Sequence, residues 1–349
     1  MGKKVILGMS GGIDSAVSAY LLREKGYVVE GVYLAMTESY DPVQFTRVQE
    51  ICDSLNIRSY KVDCKKLFQE RVIGPFIREY FNGNTPNPCV MCNPGFKFQV
   101  LLQQAAIHEA DLVSTGHYAR IIPSKGKTHL ARAKDTSKDQ SYMLYRIKED
   151  ILGKIILPLG ELEKTEVFSL GRDLFGHSIS FQGESQDICF LRSGTVRIFL
   201  SEKGDSEIFM PGPIYDEKGV EIGRHKGIFG YTIGQRKGLG LAGGPWFVHS
   251  LDVQGNALYV AREESILFNV VKCSDPVWQM EISGGQEFLA QHRYRTRPLK
   301  VRIRDISDHS FTVETDDLFK APAPGQSLVL YCGDLVAGGG IINFSKREE

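Results

Sequence analysis

The residues that could do chemistry are a small set of thiols and one glycine-rich turn. Cys89 and Cys92 lie in Cys89-Val90-Met91-Cys92-Asn93, after Gly83-Asn84-Thr85-Pro86-Asn87-Pro88. The two proline rings fix φ and bias the residues before them to extended backbone, so the thiols are presented on a stiff loop. A CxxC serves as half of a zinc site, a redox pair or iron–sulfur ligands, or is simply two core thiols. No second CxxC and no HxxxH follows, which weakens a closed zinc site. Cys189 follows the polar run Gln182-Gly183-Glu184-Ser185-Gln186-Asp187. It is either a thiol at the edge of that loop, open to substrate, or a small buried hydrophobe.

The turn is Gly8-Met9-Ser10-Gly11-Gly12-Ile13-Asp14-Ser15. It follows the apolar run Val5-Ile6-Leu7, expected as a buried strand, and precedes Ala16 to Leu22, expected as a helix ending before Gly26. Gly11 and Gly12 allow close backbone approach, Ser10 and Ser15 add hydroxyls, and the first N–H groups of the helix have no intrahelical partner. Together these make a cradle for phosphate oxygens. No Lys follows the glycines, so this is not the GxxxxGK[ST] loop. The pattern resembles SGGxDS of the PP-loop ATP pyrophosphatases, which cleave ATP between the α and β phosphates. Asp14 is a candidate Mg²⁺ ligand, since Mg²⁺ held with phosphates needs few protein carboxylates.

These groups need a scaffold. Strand-like segments at 27–34, 58–62 and 111–116 alternate with helix-like ones at 41–54, 65–81 and 96–110. That alternation implies a parallel sheet with helices on both faces, whose ligands bind beyond the C-terminal strand ends. Gly8, Leu34 and Gly116 fall at such ends and could line one nucleotide site, although Leu34 suits core packing equally well. A hairpin is expected over 120–132, a helix opening at Lys138-Asp139-Gln140-Ser141-Tyr142, a strand at 154–158 and a helix over 164–175. Past about residue 200, Gly and Pro become frequent; Gly230 to Gly240 reads as a glycine-rich basic loop, and from Val270 short strands suggest a small barrel.

His292 to Arg304 holds six Lys/Arg and no acid. If extended, Arg293, Arg295 and Arg297 project to one face, as do Lys300, Arg302 and Arg304. Such a face with Tyr294 interleaved fits phosphate contact plus stacking on RNA; a charge-defended edge strand fits as well.

The chain has 349 residues, zero formal net charge, seven cysteines and 42% hydrophobic residues. That length suits two or three domains, and global charge argues neither for nor against nucleic acid. No bilayer-length apolar run or signal peptide is visible, and the odd thiol count suits a cytoplasmic protein rather than a disulfide scaffold.

Assembled, these residues resemble the bacterial tRNA-specific 2-thiouridylases from the first strand to Gly338-Gly339-Gly340-Ile341-Ile342. The matching motifs are Ser10–Ser15, Thr85-Pro86-Asn87-Pro88 with Cys92-Asn93, and Thr115-Gly116-His117-Tyr118-Ala119-Arg120. Lys138 to Tyr142, Ile188-Cys189-Phe190, Tyr231 to Gly240, Arg293-Tyr294-Arg295 and Pro324-Gly325-Gln326 match too. The resemblance implies an α/β N-terminal domain with an adenine nucleotide alpha hydrolase-like PP-loop fold over 1–198, a small central β-rich domain over 199–269 and a C-terminal β-barrel over 270–349. It implies ATP-dependent replacement of the C2 oxygen of the wobble uridine by sulfur. ATP would be bound, with Mg²⁺, by Gly8, Met9, Ser10, Gly11, Gly12, Ile13, Asp14 and Ser15 with Leu34 and Gly116. The flipped-out uridine would rest on Asn87, Pro88 and Cys89. His117, Lys138, Asp139, Gln140, Arg293, Tyr294 and Gln326 would touch the tRNA, whose anticodon stem-loop is the partner. Cys189 would carry a persulfide from a sulfur-relay donor protein and Cys92 would be its catalytic partner, the two ending in a disulfide. Some family members carry Asp where this chain has Cys89, which leaves the general base open. The competing readings are an iron–sulfur cluster on Cys89, Cys92 and Cys189, an amidotransferase or ligase of the PP-loop class, and a non-enzymatic RNA-binding module that senses ATP, against which the paired thiols argue.

Overall fold

The structure is a computed structural model and describes residues 2–37, 42–124, 126–176, 188–191, 196–203 and 209–348. The expected N-cap Asp41 and the polar loop 183–187 lie outside the described residues.

In chain order the first half runs β1 (Lys4–Gly8), α1 (Ile13–Glu24), β2 (Val28–Ala35), α2 (Pro42–Ser54) and β3 (Arg58–Asp63). The expected long helix over 65–81 is interrupted: α3 (Lys65–Phe68) passes through a π turn at Gln69–Ile73 into α4 (Gly74–Phe81). Then come α5 (Pro88–Cys92), a second π turn at Asn93–Lys97, α6 (Phe98–Ile107), β4 (Leu112–Thr115) and the hairpin β5 (Arg120–Ser124) and β6 (Lys127–Ala131). α7 (Glu149–Leu152), β7 (Ile155–Ile156) and α8 (Lys164–Phe175) follow. The helix expected from Lys138 onward is only a 3₁₀ turn at Ser141–Met143. Asp139 is the reason: its carboxylate accepts from the backbone N–H groups of Ala133 and Ser141 at 2.9 and 3.1 Å, which draws the chain into a turn.

The chain divides into two compact units. The first comprises Met1–Ile73, Cys89–Gln186 and Cys332–Ala337. Its five strands are parallel in the order β3-β2-β1-β4-β7, with β1 buried in the middle. The order reverses direction beside β1, so the ends of β1 and β4 form the switch point where ligands bind in such sheets. One core joins Val5, Leu7, Ala16, Leu22, Val29, Val48 and Ile51; another seats α8 on α1 through Ile13, Val17 and Val167. Gly171 permits that approach, since a Cβ there would lie 2.5 Å from Ile13 Cγ1.

The second unit comprises Gly74–Pro88, Asp187–Tyr331 and Gly338–Glu349. After α9 (Val196–Ser201), β8 (Gly212–Tyr215), β9 (Glu221–His225), β10 (Phe247–Asp252) and β11 (Ala257–Ala261) form a sheet in the order β10-β11-β8-β9. Its core is Ile214, Tyr231, Leu239, Val248, Leu258 and Val260. The remaining strands are β12 (Leu267–Trp278), β13 (Glu287–Gln291), β14 (Leu299–Ile306), β15 (Ser310–Lys320), β16 (Ser327–Cys332) and β17 (Leu335–Lys346). They run β12-β15-β14-β13-β16-β17, and β17 pairs back on β12, closing a six-stranded barrel. Closure removes the open sheet edges.

Candidate active site

The glycine-rich turn joins the end of β1 to α1 at the switch point. Gly11 has φ +78°, a left-handed value that a side chain would resist. The loop is braced from within: Ser15 Oγ donates to Gly12 O at 2.8 Å, while Ser10 Oγ accepts from Gly12 N at 3.3 Å. Met9 N donates to Val32 O at 2.8 Å, fixing the loop to β2. Gly8 packs on Leu101, and a Cβ on Gly116 would lie 3.0 Å from the Asp14 backbone. Gly8, Gly116 and the loop are therefore together, as the spacing predicts. Leu34 is 7% exposed within β2, as its core-packing alternative predicts.

Asp14, in the first turn of α1, accepts three hydrogen bonds. Lys164 Nζ lies 2.6 and 2.8 Å from its two carboxylate oxygens, and Tyr118 Oη donates to Oδ1 at 2.8 Å. The Lys164 side chain is 8% exposed and its ammonium sits over the rings of Tyr118 and Phe168 at 5.2 and 4.8 Å. Its backbone N–H donates to Asp135 Oδ2 at 3.0 Å. Burial raises the Asp135 pKa, but hydrogen bonds from Ser137, Lys164 and Lys138 prevail and hold it below the usual carboxylate range. Sequence reading missed Lys164 and Asp135, and named Tyr118 within a motif without a role. The available signal was a Lys at the first position of a helix, where the dipole disfavours a cation.

The Asp14 carboxylate, 33% exposed and accepting these three hydrogen bonds out of about four a carboxylate can take, leaves room for a magnesium ion or one of its waters.

Cys89 and Cys92 occupy α5. Cys92 is 7% exposed and its backbone is α-helical, running directly into the π turn. Burial raises the Cys89 pKa, partly offset by the charge of Lys97. Asn93 is buried and donates from Nδ2 to Met143 O at 3.0 Å, tying the second π turn to the 3₁₀ turn. His117 follows β4, with Nδ1 2.7 Å from Thr115 Oγ1. Burial, then the Lys97 charge, push its pKa well below the ordinary value, so the ring is neutral. Lys97, missed in the sequence, thus acts on both Cys89 and His117.

Several expected RNA-facing residues make internal bonds. Asp139 anchors its turn, and burial raises its carboxyl pKa. Gln140 Oε1 accepts from Tyr118 N at 2.9 Å. Lys138, beside them, is partly exposed. In the second unit, Arg293 Nη2 donates to Ile233 O and Ala321 O at 2.7 and 2.8 Å, and Gln326 Nε2 donates to Thr85 O at 2.6 Å. Thr85 N donates to Pro324 O at 2.8 Å, so the barrel turn holds the stretch leading to Asn87 and Pro88. Cys189 is exposed, while its neighbour Phe190 is buried between Phe76 and Phe199 at 5.1 and 5.3 Å.

The basic run is not one extended face. Residues 292–298 turn, with Arg295 at φ +66° and stacked on Tyr294 at 5.1 Å. Only 299–306 is a strand, and its cations are matched by acids: Lys300 and Arg302 by Glu287 at 2.7 and 3.4 Å, Arg304 by Glu348 at 2.6 Å. The charge-defended strand describes this second half.

Three family models match successive stretches of the chain. Residues 3–193 match the tRNA methyl transferase HUP domain, 198–262 the tRNA methyl transferase PRC-barrel domain, and 269–342 the aminomethyltransferase beta-barrel domain. The tRNA-specific 2-thiouridylase MnmA of Clostridium perfringens is 38% identical over 97% of this chain and 98% of its own length. The chain belongs to the tRNA-specific 2-thiouridylase family. A second 2-thiouridylase, MnmA 1 of Clostridium tetani, is 37% identical over 98% of this chain and 97% of its own. A 4-thiouridine synthetase solved in complex with RNA and bound ATP matches with TM-score 0.40 and 20% identity, over 54% of this chain and 45% of that one. Among the described residues of this 2-thiouridylase family member, no helix is long and apolar enough to cross a membrane.

Proposed function

We propose that the protein catalyses ATP-dependent 2-thiolation of the wobble uridine of tRNA. What supports this most is the phosphate cradle at a β1/β4 switch point in a chain matching 2-thiouridylases end to end. The loop Gly8–Ser15 with Gly116 binds ATP, Mg²⁺ arriving with the phosphates. The C2 oxygen of the uridine attacks the α phosphorus and pyrophosphate leaves, so a poor leaving group becomes AMP. Asn87, Pro88 and Cys89 receive the flipped-out base, and His117, Lys138, Asp139, Gln140, Arg293, Tyr294 and Gln326 line or shape the tRNA surface. Three domains, at 1–198, 199–269 and 270–349, divide this work.

Sulfur arrives on Cys189 as a persulfide from a relay donor protein; exposure of Cys189 suits such a handover. The terminal sulfur attacks C2 and AMP leaves. Cys92 thiolate then attacks the Cys189 sulfur, breaking the S–S bond to the product and leaving a Cys92–Cys189 disulfide. An external thiol reductant returns both cysteines to thiols. The cytoplasm, where unmodified tRNA and thiol reductants meet, is the compartment this chemistry needs.

The test is incubation of purified protein with ATP, Mg²⁺, a sulfide source and unmodified tRNA, followed by nucleoside mass spectrometry. Appearance of 2-thiouridine, dependent on ATP, is the expected result; its absence overturns the reading.

A further inference from the structure

We infer that Phe190, seated against Phe76 of α4, is the residue that positions the Cys189 sulfur relative to the stretch leading to Asn87 and Pro88, given the reading of Cys189 as the sulfur carrier and of Asn87 and Pro88 as the residues that receive the base.

The thiol sits on a small mount. Leu191 N donates to Ile188 O at 2.9 Å, so residues 188–191 close a turn with Cys189 and Phe190 as its two central residues. Cys189 is exposed, Ile188 and Leu191 are partly so, and Phe190 is 7% exposed. A reactive thiol turned to solvent thus stands next to a buried ring. That ring meets Phe76 edge-on, with centroids 5.1 Å apart and planes at 84°. It lies 5.3 Å from Phe199 of α9, and Phe199 is 6.2 Å from Phe76, so three rings close on one another. Edge-to-face pairs are directional as well as apolar, because a positive ring edge seeks a negative face. They fix the orientation of the turn, not only its burial.

α4 carries that orientation toward the stretch that receives the base. It has eight residues, about 12 Å of helix. Phe76 also packs on Tyr80 at 4.9 Å, and Phe81 packs on Phe229 at 5.2 Å, which braces the helix along its length. Beyond it the chain has little play. Gly83 N and Asn84 N donate back to Tyr80 O and Glu79 O at 2.9 and 3.0 Å, and Asn84 Nδ2 donates to Glu79 Oε2 at 2.7 Å. Thr85 follows, held by Pro324 O and by Gln326. Every link from Phe190 to Thr85 lies in the second unit. Sulfur transfer needs the persulfide and the uridine C2 at a near-attack distance of about 3–3.5 Å, and an error of about 1 Å costs roughly 100-fold. A carrier tied to the element that leads into its acceptor meets that demand; a carrier on a free turn does not. Phe190 and Phe76 act through Cys189 and are positioning residues.

The experiment uses the full chain with ATP, Mg²⁺, unmodified tRNA and inorganic tetrasulfide. Cys189 thiolate takes one sulfur from tetrasulfide, giving the persulfide and trisulfide. Loading is read as an added mass of about 32 Da, adenylation as tRNA-dependent pyrophosphate release, and transfer as 2-thiouridine formed in a single turnover. Phe190→Ala is expected to leave loading and pyrophosphate release within about twofold of wild type and to slow transfer by about 10- to 100-fold. The KM for tRNA should not move. Phe190→Leu, which refills the slot, should recover part of the rate. Should Phe190→Ala unfold, Phe76→Leu trims the contact from the α4 side while keeping it apolar, and must show the same split. A nitroxide on Cys189, in a Cys332→Ser background, reads the mount without chemistry: Phe190→Ala should narrow its electron paramagnetic resonance lines. Transfer at the wild-type rate, or a fall of loading, pyrophosphate release and transfer together, overturns the inference. So do unchanged nitroxide lines. Wild-type protein that forms no 2-thiouridine overturns the proposed function instead, and the nitroxide lines still decide whether Phe190 holds Cys189.

Discussion

The side-chain amide of Gln326 donates a 2.6 Å hydrogen bond to the carbonyl of Thr85, joining residues 241 apart in sequence. Thr85 is also held by Pro324 O, and a Cβ on Gly325 would lie 3.0 Å from Asn84 Cβ and Thr85 N. The barrel turn is therefore a clamp on the chain that runs into Asn87 and Pro88. Gln326→Ala is expected to speed amide exchange of Asn84, Thr85 and Asn87 by about tenfold, the loss of one net hydrogen bond. Unchanged protection with weaker tRNA binding would assign Gln326 to RNA contact alone.

Arg293 and Arg295 are neighbours with different work. Arg293→Ala should destabilise the second unit by about 2 kcal/mol, because two backbone carbonyls lose a charged donor. Arg295, exposed on its turn, should change stability little when replaced by Ala yet reduce the salt slope of tRNA binding by about one counterion. Lys300→Ala and Arg304→Ala should leave that slope unchanged, since Glu287 and Glu348 already match those cations. A salt titration with each variant, alongside thermal melts, separates the roles.

His292 makes stability depend on pH. It is 6% exposed, and burial, then the Arg293 charge, lower its pKa from 6.5 to about 4, against the opposing bond to Lys320 O. Between those values the unfolded chain binds the proton and the folded chain does not. Stability is thus complete above about pH 6.5 and falls toward pH 4, by up to about 3 kcal/mol. Denaturant melts from pH 7.5 to 4.5 should show that fall, and His292→Asn should flatten it; a slope of the same size in the variant assigns it to other groups.

The thiols should separate by reactivity. Burial raises the Cys52 pKa to about 12 and that of Cys64 to about 11, each with help from a neighbouring carboxylate, and lifts Cys273 well above its ordinary value. Brief alkylation of native protein should mark exposed Cys189 and Cys332 and spare these three. After loading with a sulfur donor, Cys189→Ser should lack the adduct of about 32 Da that one sulfur atom adds, while Cys92→Ser keeps it and fails to turn over.

One turnover without reductant should leave Cys92 linked to Cys189 in peptide maps. Cys89→Ser should only slow the reaction. A Cys89–Cys92 link instead, or loss of bound iron with Cys89→Ser, would replace the two-thiol scheme.

Alone, the sequence determined what local rules control. Val5-Ile6-Leu7 followed by Ser10 to Ser15 and an apolar helix gave the strand–loop–helix, because strand burial, glycine freedom and helix N-termini act within a few residues. The alternation of strands and helices gave the parallel sheet, and the short strands after Val270 gave the barrel. Tertiary structure decided what depends on approach across the chain. Lys164 reaches Asp14 only because Gly171 lets α8 close on α1, and nothing local to either residue says so. The six-cation run fitted a basic face or a charge-defended edge strand equally well, and a positive φ at Arg295 and acids from β13 and the C-terminal end divided it. Asp139, Gln140, Arg293 and Gln326, which the resemblance assigns to tRNA contact, also bond backbone groups that lie elsewhere in the chain. Composition records that a side chain can donate or accept; which partner it finds is set by packing.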